Sequence, residues 1–147
     1  MGQKDVNRER GLQVVLDTSV FVSAVLFRGP TNRLVHLGQT GAISILVSSD
    51  VLKEYIKVLA YSKFNLTKDE MTAIVEQELL PFIKPVKISK VHPVITQDPA
   101  DDKFLALAVE GKADYILSGD KHLLTLKAFR GIKVLSPDKF FEILKEP

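Results

Sequence analysis

Apolar residues along the chain form short unbroken runs and longer runs with helical spacing. The unbroken runs are LQVVL (12–16), AISILVS (42–48), ADYILSGD (113–120) and IKVLS (132–136). Runs of this kind are typical of strands buried on both faces, as in a parallel sheet. Prolines favour extended backbone in two further segments, KPVKIS (84–89) and HPVIT (92–96).

Seven further segments have helical spacing. The predicted helices span 19–27, 31–41, 48–64, 67–83, 98–112, 121–126 and 137–146. Thr31, Thr67 and either Ser48 or Ser49 are the predicted N-caps, and Gly41 is predicted to end the second helix. Because strands and helices alternate, we predict an α/β fold in which a central, mostly parallel sheet of about five strands lies between two layers of helices.

Length and composition indicate one compact domain. The chain has 147 residues, of which 46% are hydrophobic and 26% charged. We expect residues 12–147 to form this domain and residues 1–11 to be a polar, mobile N-terminal segment. The formal net charge of +2 is too small to indicate nucleic-acid binding by itself. The absence of cysteine excludes disulfides and thiolate zinc sites.

The chain has no sequence signal for a membrane or for secretion. No apolar run reaches the length of a transmembrane helix, and the N-terminal residues lack the apolar centre of a signal peptide. We therefore expect a cytoplasmic protein that does not contact a membrane.

Acidic residues occur where predicted strands end and predicted helices begin. They are Asp17 after the first strand, Glu54 about one turn inside the third helix, Asp98, Asp101 and Asp102 at the start of the fifth helix, and Asp120 after YILSG. In a parallel sheet with right-handed connections these ends share one edge, and ligands bind in the crevice beyond it. We therefore expect several of the carboxylates to converge.

Converging carboxylates repel one another, and burial adds to the energetic cost. A divalent cation that prefers oxygen ligands, Mg²⁺ or Mn²⁺, is the usual way to stabilise them. The alternative for each acid is structural, because carboxylates at helix N-termini cap the helix or interact favourably with its dipole. Asp17 fits that alternative least well, since apolar residues flank it on both sides.

Four segments, in order, resemble the motifs of the PIN domain family of metal-dependent ribonucleases across residues 12–145. VLDTSVFVSAVL resembles the first motif, and VLKEYIKVL resembles the second, with Glu54 as its acid. DPADDKFLALA resembles the third, where Asp102 is the best match, and YILSGDKHLL resembles the fourth, with Ser118, Gly119 and Asp120. The last two segments are particularly similar to those of VapC-like toxins from toxin–antitoxin pairs.

The resemblance implies a three-layer PIN-like fold that cleaves RNA by means of a water activated by Mg²⁺ or Mn²⁺. The four acids that would bind one or two ions are Asp17, Glu54, Asp102 and Asp120. The residues that would support these ligands or contact a phosphate are Thr18, Ser19, Ser118 and Asp101. Asp102 is preferred to Asp101 as the ligand because Ala106 lies four residues on, on the same helix face.

Basic residues near the motifs are candidates for RNA contacts, although an ordinary solvated surface accounts for them equally well. They are Arg28, Arg33, Lys53, Lys57, Lys103 and Lys121. Tyr55 and Tyr61 are candidates for base stacking, but Tyr55 lies on the apolar face of its helix and is assigned to the core. The histidines have no metal-ligand spacing, and only His122 lies close to a motif.

Other enzyme classes fit less well. A phosphatase with an aspartyl nucleophile needs a second Asp at the position of Ser19, and a receiver domain needs paired acids after its first strand. A non-catalytic RNA- or protein-binding domain and a ribosomal RNA-processing nuclease remain open. A toxin would have an antitoxin protein as its partner. A homodimer is predicted. The helix 67–83 carries Met71, Ile74, Val75, Leu79 and Leu80 and is a candidate for the interface, although ordinary core packing explains these residues better.

Overall fold

The computed structural model describes residues 11–27, 29–89 and 99–145. Most of the predicted N-terminal segment (1–10), Arg28 and Asp98 lie outside the described residues. The predicted extended segment HPVIT (92–96), which contains His92, lies outside them as well.

A six-stranded sheet with the order β3-β2-β1-β4-β6-β5 runs through the centre of the molecule. The strands are β1 (Leu12–Leu16), β2 (Ile43–Val47), β3 (Ile83–Pro85), β4 (Tyr115–Leu117), β5 (Ala128–Phe129) and β6 (Ile132–Leu135). All neighbouring strands pair in parallel except β5, which is antiparallel to β6 at the edge. The predicted mostly parallel sheet is confirmed. The sequence analysis did not include β5, because a strand of two residues has no periodicity to detect.

The described part of the chain contains seven α-helices. They are α1 (Thr18–Leu26), α2 (Arg33–Thr40), α3 (Ser49–Leu59), α4 (Lys68–Ala73), α5 (Pro99–Glu110), α6 (Lys121–Leu126) and α7 (Pro137–Lys145). Short 3₁₀ turns precede α2 at Pro30–Asn32 and follow α3 at Ser62–Phe64. The alternation of helices and strands confirms the predicted α/β fold. None of these helices is long and apolar enough to cross a membrane.

The core lies on both faces of the central strands. Val14 and Val15 are adjacent on β1 and both are 0% exposed. Successive side chains of a strand point to opposite faces, so helices must cover the sheet on both sides. The ring of Phe21 on α1 stacks on that of Tyr55 on α3 with centroids 3.9 Å apart, and this contact holds the two helices together.

The segment predicted as one helix over 67–83 is not a uniform α-helix. Thr67 caps α4 as predicted and forms a capping box with Glu70. A π-helical segment (Ile74–Leu79) and a 3₁₀ turn that contains Pro81 follow α4. Proline has no backbone N–H and its ring clashes with the carbonyl four residues before it, so a regular helix cannot continue through Pro81.

Two more of the predicted helix ends are confirmed and one is wrong. Ser48 caps α3 by accepting a hydrogen bond from a backbone N–H, and Gly41 ends α2 in the left-handed region with a φ of 83°. The predicted cap at Thr31 is wrong, because α2 begins only at Arg33, after a 3₁₀ turn. The Thr31 hydroxyl lies 2.8 Å from the Ser23 hydroxyl instead.

The order of the strands reverses between β1 and β4. The chain runs outward from β1 through β2 to β3 and then returns to the other side of β1 with β4. Leu16 of β1 pairs with Leu117 of β4, and the backbone N–H of Asp17 donates to the Leu117 carbonyl at 3.0 Å. Asp17 and Ser118 are therefore neighbours at the point where open α/β sheets form their ligand crevice.

Candidate active site

Asp17 is a buried carboxylate between the end of β1 and the start of α1. Its side chain is only 5% exposed. One carboxylate oxygen accepts hydrogen bonds from the Val20 N–H at 2.8 Å and from the Ser19 hydroxyl at 3.1 Å. Asp17 is thus the N-cap of α1, so the structural role considered for it is present. Capping uses only one of the two carboxylate oxygens, so it does not explain why the charge of Asp17 is buried.

The second oxygen of Asp17 accepts a short hydrogen bond from the hydroxyl of Ser118, which is 0% exposed. The Ser118 oxygen in turn accepts the backbone N–H of Asp120 at 2.9 Å. Asp120 caps α6 by accepting the His122 N–H at 2.8 Å. We call Asp17, Ser118 and Asp120 the Asp17 network. It joins the ends of β1 and β4 through one buried hydroxyl.

Glu54 lies in the second turn of α3 and is bound by residues from two other helices. The hydroxyl of Thr18, at the start of α1, donates a short hydrogen bond to one carboxylate oxygen. The Lys103 ammonium, on α5, lies 2.5 Å from the other oxygen. We call Thr18, Glu54 and Lys103 the Glu54 network. It adjoins the Asp17 network because Thr18 directly follows Asp17 in the chain.

The two carboxylates have opposite pKa shifts. Burial raises the pKa of Asp17, and the hydrogen bonds from Ser118, Val20 and Ser19 offset this only in part. Burial also raises the pKa of Glu54, but the hydrogen bonds from Lys103 and Thr18 outweigh it, so this pKa lies below its usual value. The Asp17 charge is therefore poorly stabilised, while the Glu54 charge already has a cationic partner.

Tyr55 is a buried residue that lies close to the carboxylates of both networks. Its side chain is fully buried, and its hydroxyl donates to the Leu16 carbonyl at 2.5 Å. Burial raises the pKa of Tyr55 well above its usual value, and the charges of Asp17 and Glu54 raise it further. Both carboxylates therefore lie close enough to act on this one hydroxyl. Its burial also confirms the assignment of Tyr55 to the core.

Asp101 and Asp102, in the first turn of α5, differ in burial. Asp101 is 7% exposed, whereas Asp102 is half-buried. The preference for Asp102 relied on Ala106 lying on the packed face, but Ala106 is only half-buried. Leu105 and Ala108, four and seven residues after Asp101, are both 0% exposed. The packed face of α5 therefore contains Asp101 and not Asp102.

The structure brings Asp17, Glu54 and Asp120 to one edge of the sheet, and Asp101 and Asp102 lie in the first turn of the helix whose Lys103 binds Glu54. The carboxylate and hydroxyl oxygens of the two networks are the ligand types that Mg²⁺ and Mn²⁺ prefer. Among residues 11–27, 29–89 and 99–145, however, no three acidic, histidine or cysteine side chains are arranged as a group able to hold a metal ion. The coordination of one or two ions by four acids therefore stays a prediction.

The predicted RNA-contacting residues have different surroundings. Lys53, Lys57 and Lys121 are exposed, whereas Lys103 is paired with Glu54. The guanidinium of Arg33 lies 4.8 Å from the ring centroid of Phe141, a contact that also has a packing role. RNA contact by these residues stays a prediction.

An apolar groove beside α1 involves residues that the sequence analysis did not single out. Its volume is about 850 Å³, and its lining includes Thr18, Ser19, Phe27, Val58, Lys63 and Phe64. Phe27 belongs to an apolar run that predicts core, yet it is 54% exposed. The dipeptide of Lys63 and Phe64 is the only local signal, and it is too common to indicate a site.

The fold and the site define an open α/β protein with buried acids at the reversal point of its sheet. A family model described as PIN domain matches residues 13–122, and the chain belongs to this family. PIN domains are generally nucleases, which are hydrolases, and they usually use divalent metal ions. The match confirms the family predicted from the four motifs, while the toxin subgroup stays a prediction. A search of curated proteins finds no match to the chain.

Proposed function

We propose that the chain is an endoribonuclease that depends on Mg²⁺ or Mn²⁺. The observation that carries the proposal is the burial of Asp17 at the reversal point of the sheet, where its hydrogen-bond donors include the neutral groups of Ser118, Val20, Ser19 and Gly119. A buried carboxylate with neutral donors and a raised pKa is stabilised when a cation binds beside it. Membership of the PIN domain family supports the same activity.

The residues divide between metal binding and positioning. Asp17, Glu54 and Asp120 would hold the ion together with one acid of α5, for which we propose Asp101 because it lies on the packed helix face. A divalent ion held in this way lowers the pKa of a water molecule and stabilises negative charge on the scissile phosphate. Ser118 keeps the Asp17 carboxylate oriented through its buried hydroxyl.

The choice of RNA as the substrate comes from the family resemblance and from charge. An acidic pocket repels a phosphate backbone unless a cation reverses the local sign. The exposed Lys53, Lys57 and Lys121 would add positive charge around the same sheet edge. Lys57 acts electrostatically on Glu54, and Lys121 directly follows Asp120, so both lie where a bound strand would approach the acids.

The partners and setting of the enzyme are further parts of the proposal. We propose a homodimer in which the segment 67–83 lies at the interface, since Leu80 in this segment is 45% exposed. An antitoxin protein as a partner and a cytoplasmic location follow only from the family resemblance and the sequence. A molecular mass of one chain by light scattering would contradict the dimer.

The test of the proposed function is cleavage of labelled single-stranded RNA by the native chain and by Asp17→Asn. Asparagine keeps the shape and the capping oxygen but removes the charge. We expect activity of the native chain only with Mg²⁺ or Mn²⁺, and a loss of about 10²–10³-fold in Asp17→Asn, the scale of losing one preorganised charged or polar group. Asp101→Asn should lose far more activity than Asp102→Asn.

The matched control is Asp114→Asn. Asp114 precedes β4, accepts the Gln13 N–H at 2.8 Å and therefore lies at the opposite edge of the sheet from Asp17. This variant should keep activity within a few-fold of the native chain. Equal metal-dependent cleavage by the native chain and Asp17→Asn would exclude the site, and an inactive native chain that still binds RNA would favour the non-catalytic alternative.

A further inference from the structure

The apolar groove beside α1 is continuous with the candidate active site. Its lining includes Thr18 and Ser19, which directly follow Asp17, and Thr18 also donates to Glu54. From these hydroxyls the groove passes between α1 and the end of α3, which contributes Val58, together with the 3₁₀ turn after it, which contributes Phe64. A substrate held at Asp17 would therefore have its next unit over this groove.

The far part of the groove combines aromatic rings with a positive charge. Phe27 and Phe64 have ring centroids 6.4 Å apart and are tilted by 59°, so that they form two walls rather than a closed stack. The Lys63 ammonium lies 5.2 Å from the centroid of the Phe64 ring. An apolar aromatic wall beside a cation matches a nucleotide, which joins a flat aromatic base to an anionic phosphate.

A second cavity shares Ser19 and Ser23 with the groove. Its volume is about 370 Å³, and its lining includes Ser19, Ser23, Thr31 and Gly119. Ser19 and Ser23 line both cavities, so the start of α1, which directly follows Asp17, borders two clefts. A site that borders two clefts suits a polymer that continues past the bond being cleaved.

We propose that the groove beside α1 binds one base of single-stranded RNA, on one side of the scissile phosphate, by stacking on Phe27 and Phe64. Lys63 contacts the phosphate of the same nucleotide. This inference rests on the proposed ribonuclease function and deepens it, because it assigns a binding position for the base next to the cleaved bond. A double-stranded substrate cannot place a paired base in the groove, so the position selects unpaired RNA.

The test combines a protein change with a substrate change. A short single-stranded RNA with one mapped cleavage site is compared with versions that carry an abasic nucleotide at each position beside that site. For the native chain we expect one abasic position to raise KM about tenfold, within the usual range for one stacked base, with a smaller change in kcat. Phe27→Ala should raise KM for the intact RNA by a similar factor and remove the effect of the abasic nucleotide.

Two further variants control for damage to the fold. Phe64→Leu keeps apolar volume and loses the ring, so it should also weaken the abasic effect. The matched control is Phe129→Leu on β5, a partly buried ring with the Arg130 guanidinium 5.3 Å from its centroid. This variant should keep the full tenfold abasic effect of the native chain.

The proposal is overturned if no abasic position affects the native chain, or if Phe27→Ala and Phe64→Leu keep the full abasic effect. The second result would instead favour binding of an apolar peptide segment of a partner protein in the groove. Failure of the ribonuclease function gives a different result, namely no metal-dependent cleavage by the native chain. In that case fluorescence anisotropy with the same RNA still tests whether the groove binds a base. Phe27→Ala should weaken RNA binding about tenfold, and Phe129→Leu should not.

Discussion

The Asp17 and Glu54 networks adjoin at the same sheet edge but stabilise their carboxylates in different ways. The Asp17 carboxylate is nearly fully buried and receives neutral donors, so its pKa is raised. The Glu54 carboxylate is 24% exposed and is paired with Lys103, so its pKa is lowered. The Glu54 network already contains a cation, the Lys103 ammonium. The Asp17 network has the surroundings in which binding of an added cation is most favourable.

This difference in burial and pKa indicates which of the two acids contributes more to metal binding. A buried acid that receives hydrogen bonds from hydroxyl and amide donors keeps its negative charge available to a metal ion, because these donors are neutral. An acid paired with a lysine has to exchange that partner before it can bind a metal ion. We therefore expect Asp17 to dominate metal affinity and Glu54 to adjust it.

The largest effect on stability is expected from Ser118→Ala. The change leaves a buried oxygen of Asp17 without its donor and the Asp120 N–H without its acceptor. The free energy of unfolding should fall by about 1–3 kcal/mol, as measured by urea denaturation. Ser44→Ala, at a partly exposed strand position, is the control and should change it by less than about 0.5 kcal/mol. Equal losses in both variants would mean that Ser118 has no special role in the Asp17 network.

A second prediction separates the networks by pH in the absence of metal. The Asp17 pKa is raised above 3.8, so the folded chain binds this proton more tightly than the unfolded chain. The free energy of unfolding should therefore fall as pH rises above 3.8, until the raised pKa is passed. The Glu54 pKa is lowered below 4.5, so its stabilisation is present above 4.5 and is lost as pH falls through the lowered value.

Urea denaturation in EDTA between about pH 3 and about pH 7 checks both signs. Relative to the native chain, Asp17→Asn should gain stability as pH rises, and Glu54→Gln should lose it. The effect of Asp17→Asn should be the larger, since the Glu54 pair is partly exposed and contributes no more than about 1 kcal/mol. If the relative stability of both variants changed in the same direction with pH, the proposed difference between the two networks would be wrong.

The smallest effect on stability is expected from Lys103→Met, which keeps most of the side-chain length and removes the charge. Loss of this pair should cost less than about 1 kcal/mol. If Glu54 binds metal, Mn²⁺ should raise Tm more in Lys103→Met than in the native chain, because the carboxylate is free to accept the ion. Lys139→Met, which breaks the exposed pair with Glu142, should respond to Mn²⁺ like the native chain. An equal rise of Tm in all three chains would argue against Glu54 as a ligand.

The fold was largely predictable because burial on both faces leaves a strong sequence pattern. Unbroken apolar runs such as LQVVL indicate covered strands, and their alternation with helices indicates a parallel sheet. Prediction failed where the local pattern was weak or was overridden. The two-residue β5 has no period, and Pro81 interrupts a segment whose apolar spacing otherwise predicts a continuous helix.

The acids at this sheet edge could be picked out from their positions along the chain, whereas their role as metal ligands stays a prediction. Asp17 stood out because its charge interrupts an apolar run, and the acids at strand ends and helix starts were expected to share an edge. The choice between Asp101 and Asp102 was not settled by spacing, because either residue has an apolar neighbour four positions on. The two residues differ in burial, and which of them binds a metal ion stays a prediction.

The sequence by itself determined the order of strands and helices and the presence of an acid after β1, because burial and chain reversal require particular residue types at particular positions. Only the tertiary structure decided that the Ser118 hydroxyl bonds to Asp17, that Lys103 bonds to Glu54, and that Phe27 lines a groove. Ser118 is 101 residues from Asp17, and Lys103 is 49 residues from Glu54. Contacts between residues so far apart in the chain depend on how the sheet and helices pack, so no local sequence pattern predicts them.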